Sequence, residues 1–156
     1  MSIAFVMFIH MISNTTAYMT DFDRASLGSR FCQTQYGSGE AEATASSVTD
    51  GKWDDAENIA RRRAQVKACK EANELGKKNV TSCPEGCYPR FFMRDNCDFE
   101  DQSLEAGEGE SDDWFRACQL ERADSDFCKQ YQSHYHQWAI LKTRAEAKVE
   151  LICLKK

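Results

Sequence analysis

The residues of this 156-residue chain best equipped for chemistry are its eight cysteines: Cys32, Cys69, Cys83, Cys87, Cys97, Cys118, Cys128 and Cys153. An even set in a short chain points to an oxidising compartment and up to four disulfides. Roughly a hundred pairings are open to eight cysteines, and their spacing does not choose among them. Cys83-Pro84-Glu85-Gly86-Cys87 places two sulfurs close in sequence, as a thiol–disulfide exchanger needs. That chemistry uses two intervening residues, however, and here there are three. Structural bridges, within this pair or to other cysteines, are the expectation.

His134 and His136, downstream of Cys118 and Cys128, bring zinc to mind, but their spacing matches no common finger. As acid and base beside a carboxylate they could serve a small secreted hydrolase. Nothing supplies the rest of an active site: G-x-S-x-G, H-E-x-x-H, the P-loop and G-x-G-x-x-G are all missing from the sequence. The hydrolase is therefore carried as an alternative, with no catalytic residue, cofactor or metal ligand assigned. A further alternative is a divalent-metal binder. Between Asp95 and Asp113 lie nine acids and no base, and such density attracts Ca²⁺ in extracellular settings. EF-hand spacing is absent, so a solvated acidic loop over 95–113 is expected. The remaining chain holds 20 basic against 16 acidic residues, a weakly basic body inside a protein of net charge −5. The overall charge of −5 argues against a dedicated nucleic-acid binder, whose phosphate contacts need a basic excess.

The clearest contact candidates are the run Arg61, Arg62 and Arg63, joined by Lys67 and Lys70, and the aromatic segment 88–93 with Phe91 and Phe92. Three successive arginines spread over roughly 200° of a helical wheel, so they do not make one stripe.

Elements must hold these groups in place. Phe31 to Ser46 contains Ala41, Ala43 and Ala45 alternating with Glu40, Glu42 and Thr44, the period of a half-buried strand. A helix is expected over about 55–75, started by Asp54 with Glu57 three residues on and stopped by Gly76. Its Ala56, Ala60, Ala64, Ala68 and Ala72 form a ridge of small side chains suited to lying close on a sheet. Arg144 to Lys156 alternates Ala145, Ala147, Val149, Leu151 and Cys153 with charged residues, predicting a second strand beside the first beneath that helix. Tyr88 to Asn96 reads as an edge strand because Pro89 cannot donate to a ladder. Trp114 to Glu121 is a short strand or helical turn. Phe127, Tyr131, Tyr135 and Trp138 fall at helical spacing.

Residues 1–20 hold no acid, lysine or arginine, and Ile3 to Ile12 form an apolar run broken only by His10. About ten apolar residues suit a signal-peptide core rather than a membrane span. A signal peptide over 1–17 and a single disulfide-stabilised domain over 18–156 follow, with no membrane span in the mature chain. No cysteine sits where a lipid anchor would be attached. Asn79-Val80-Thr81 is a glycan acceptor triplet.

The stretch Gly37 to Gly76, with Gly-Ser-Gly-Glu-Ala-Glu-Ala-Thr-Ala followed by Asp-Asp-Ala-Glu-Asn-Ile-Ala-Arg-Arg-Arg-Ala-Gln-Val-Lys-Ala-Cys, resembles the strand-plus-alanine-helix opening of bacterial periplasmic domains. SIMPL-type domains and the amino-terminal domain of flagellar assembly protein T are the families concerned. The resemblance implies a small α+β envelope domain without catalysis. Together these features predict an α+β fold: a small antiparallel sheet packed by an alanine-rich helix and stapled by two to four disulfides. The expected function is an exported, non-catalytic binding or structural module, secreted or periplasmic, whose partner is another protein or an envelope component.

Overall fold

The computed structural model of the chain describes residues 28–51, 55–80, 82–93, 97–109, 111–131 and 137–156. The expected signal peptide, Asp54, Thr81, His134 and His136 lie outside the described residues.

Two long strands, β1 (Phe31–Thr49) and β4 (Gln137–Lys155), pair antiparallel from Phe31 opposite Leu154 to Thr49 opposite Gln137. The other side of β4 is shared end to end by β2 (Cys87–Met93) and β3 (Asp98–Glu108). β4 is thus the centre of a four-stranded antiparallel sheet, and β1 is one edge. Among the described residues there are three α-helices, α1 (Ala56–Lys78), α2 (Asp112–Arg122) and α3 (Ser125–Tyr131), and a 3-10 turn over Gly28–Arg30 before β1.

Period two decides which face is which. Odd-numbered residues of β1 and β4, among them Ala43, Ala45, Ala139, Leu141, Ala145 and Ala147, meet the buried alanine ridge of α1. Even-numbered Val48, Trp138 and Ile140 point the other way and are covered by Trp114, Ala117 and Cys118 of α2 with Cys128 of α3. Beyond that cluster the second face carries a grid of charge, with Glu40 paired to Arg144, Glu42 to Lys142 and Asp98 to Lys148. The α+β architecture is the one the alternation and the alanine ridge require.

An alanine ridge gains little from burial, about 0.8 kcal/mol per methyl-sized group against roughly 2 to 3 for a leucine. Covalent links add what that thin core lacks. Cys32–Cys87 ties β1 to β2, Cys83–Cys153 ties the approach to β2 to β4, Cys69–Cys97 ties α1 to the approach to β3, and Cys118–Cys128 joins α2 to α3. No cysteine is free. Cys83 and Cys87 each bridge to a distant partner rather than to one another.

Local expectations are corrected in four places. The α1 cap is Asp55, whose carboxylate accepts the Glu57 N–H at 3.0 Å. Gly76 does not stop α1: it is buried within the helix, which runs on to an Asn79 cap. Its lack of a side chain answers to packing, since a β-carbon there would lie 2.7 Å from Val149 Cγ2. The acidic segment is not a loop, for most of it forms β3 and the first turn of α2. Its acids are tolerated because Arg61, Arg116 and Lys148 meet Asp101, Glu105 and Asp98, while Asp112 and Asp113 sit at the positive end of α2 behind the Ser111 cap. Finally, Trp138 belongs not to a helix but to β4, where strand geometry delivers its ring to the α2 cluster, while Tyr135 lies outside the described residues.

Candidate functional site

A strand at a sheet edge presents backbone groups with no ladder partner. On β1 those groups belong to the even-numbered residues, and three of them are plugged by side chains. Asn79 Nδ2 donates to the Ser38 carbonyl at 2.8 Å, Arg63 Nη1 donates to the Ser46 carbonyl at 3.0 Å, and the Val48 N–H donates to Glu121 Oε2 at 2.8 Å. Arg63 and Glu121 also pair at 2.8 Å. Since α1 and α2 lie on opposite faces of the sheet, this ion pair wraps the edge of β1. Ser46 Oγ donates to the Ala117 carbonyl and seats α2 at the same point.

Beside the clasp lies a cleft of about 390 Å³ lined by Thr44, Ala45 and Ser46 of β1, Arg63 and Lys67 of α1, and Leu120, Glu121 and Arg122 of α2. Three cations face one carboxylate. Glu121 is nearly buried and already engaged by Arg63, Arg122 and the Val48 amide, so the outward charge of the cleft is positive. Leu120, 58% exposed, adds an apolar lip. Lys67 and Lys70 follow Arg63 at helical spacing on the same side of α1 and carry no hydrogen bond or ion pair among the described residues.

The three arginines of the sequence therefore have three different surroundings. Arg61 donates to Asp101 and Glu57, each at 2.9 Å, and these carboxylates hold its guanidinium above its usual range, Asp101 foremost. Arg63 belongs to the clasp. Arg62 is exposed, with no partner among the described residues. Phe91 and Phe92 point to opposite faces, as adjacent strand residues must. Phe91 is exposed opposite Leu151, and Phe92 is half-buried opposite Glu150 with the Arg90 guanidinium 5.4 Å from its ring. They do not form one surface. Leu120, Glu121 and Arg122 were not singled out from the sequence, and the clasp partner of Arg63 lies 58 positions further along the chain.

Cys118 and Cys128 are bonded to each other, which occupies the sulfurs a zinc site would need. Among the described residues no three histidine, cysteine or acidic side chains converge as metal ligands, and no helix is long and apolar enough to cross a membrane. The Asn79 amide nitrogen, the atom a glycan would use, is committed to Ser38. No family profile, no curated protein and no solved structure matches the chain.

Proposed function

We propose that the chain is an exported, non-catalytic binding module of the cell envelope or extracellular space, and that it engages an acidic partner through the cleft side of α1. The observation that carries this is the cleft itself, where Lys67, Arg63 and Arg122 surround a single, already satisfied carboxylate. Four disulfides with no free thiol support the oxidising compartment, and the apolar run at 3–12 supports export. The resemblance of residues 37–76 to periplasmic domains is in keeping with both.

The test is chromatographic. A protein of net charge −5 should pass through a carboxylate cation exchanger at neutral pH, whereas a focused basic face retains it in a salt-dependent way. Retention at low salt, abolished by Lys67→Glu with Arg122→Glu, is the expected result. Passage of the native oxidised protein in the void volume would overturn the proposal.

A further inference from the structure

The plugs on β1 leave a gap. Asn79 closes the edge at Ser38, and Arg63 with Glu121 closes it at Ser46 and Val48. Between them the outward backbone groups of Glu40, Glu42 and Thr44 have no partner among the described residues, and all three residues are exposed. An open edge of this kind accepts an added strand, with main-chain hydrogen bonds supplying affinity and flanking side chains supplying choice.

Charge selects the occupant. The side chains of Glu40 and Glu42 would repel an acidic segment, but they lie on the charged face and are paired to Arg144 and Lys142. Above the edge stands Lys67, and at its end stands Arg122, both lining the cleft and outside the Glu40–Thr44 backbone itself. The chain's own acidic strand is a poorer occupant, because Asp98, Asp101 and Glu105 of β3 already have cation partners within the fold.

We infer that an extended, acidic segment of a partner protein adds to β1 between Ser38 and Ser46 as a further strand, its carboxylates received by Lys67 and Arg122. The inference rests on the basic-cleft proposal but asks for more, since that proposal needs only charge and this one needs backbone pairing.

The probe is a short synthetic peptide of paired glutamates and paired valines, which puts carboxylates on both faces of the added strand, measured by fluorescence anisotropy against the oxidised full chain. Two variants separate the contributions. A peptide N-methylated on alternate amides keeps its charge and loses its donors, and Thr44→Pro removes one outward N–H without touching the β1–β4 ladder. Either change is expected to weaken binding about tenfold or more. Equal affinity for the methylated and unmethylated peptides would overturn strand addition while leaving the basic cleft standing. Loss of exchanger retention by the native protein would remove the cleft itself. Sedimentation in the absence of peptide is expected to show a monomer, and a dimer dissolved by Thr44→Pro would make a second copy the occupant and overturn the inference.

Discussion

Gly39 of β1 and Gly76 of α1 touch backbone to backbone. A β-carbon on Gly76 would lie 3.3 Å from the Gly39 amide nitrogen, and one on Gly39 would overlap both the Gly76 nitrogen and the Ala72 carbonyl oxygen. The helix can rest this low because its buried ridge, apart from Cys69, is alanine and glycine and meets Gly39, Ala43, Ala145 and Ala147 on the sheet, and the descent is what brings Asn79 to Ser38 and Arg63 to Ser46. Close packing of α1 and closure of the β1 edge are therefore one arrangement.

Substituting these glycines should give unequal losses. Gly39→Ala meets backbone atoms that cannot move independently, so a loss at the upper end of overpacking costs, about 3 kcal/mol, is expected. Gly76→Ala meets mainly the Val149 side chain, which can turn, and gains about 1 kcal/mol of helix propensity. Its loss should be clearly smaller. Urea midpoints of the two variants test the order, and equal midpoints would contradict the contact.

Much of this was legible in the sequence, for a reason the glycines illustrate. Period two in Glu40–Ala45 and in Arg144–Cys153, with alanine every fourth residue from Ala56 to Ala72, admits one arrangement of two strands under one helix. Gly76 was misleading because a glycine near a helix end satisfies a cap and a close approach equally well. The acidic stretch misled in the same way: a run of acids is a loop unless cations arrive from elsewhere, and Arg61, Arg116 and Lys148 come from distant positions. The Arg63–Glu121 clasp was invisible for that reason too, since no local spacing connects α1 to α2.

The clasp should show as coupling. Arg63→Met and Glu121→Gln each remove the ion pair, and a double-mutant cycle is expected to return about 1 kcal/mol, the half-exposed Arg63 holding the value near that of solvent-screened pairs. Amide exchange at Val48 should quicken in Glu121→Ala, which deletes its acceptor, and stay slow in Arg63→Met. Unchanged Val48 exchange in Glu121→Ala would contradict the edge plug.

The four bridges should not contribute equally. Cys83–Cys153 closes 70 residues and Cys118–Cys128 closes 10, so chain entropy alone makes the first worth about 2 kcal/mol more than the second. Paired alanine substitutions, compared by thermal unfolding, measure the difference. The reverse order would show that packing around Cys118 and Cys128 beside Trp114 outweighs loop closure.

Acid should loosen the charged face in a defined direction. The Lys142 ammonium bonded to Glu42 holds that carboxyl below its ordinary range. A folded-state value below the unfolded one means the contribution is complete above the ordinary carboxylate range and is lost as pH falls through the lowered value. The groups are exposed, so the effect on unfolding is small, and Lys142→Met should make it smaller still. Carboxyl chemical shifts of Glu42 followed through an acid titration check the direction, and a midpoint above the ordinary range would refute the pairing.

The proposed export and this one pattern of bridges are tested most directly by non-reducing peptide mapping, by mass spectrometry, of the protein recovered from its native source. The expected result is four linked pairs, Cys32–Cys87, Cys69–Cys97, Cys83–Cys153 and Cys118–Cys128, on a chain lacking its first 17 residues. Eight free thiols on a chain that still begins at Met1 would contradict it.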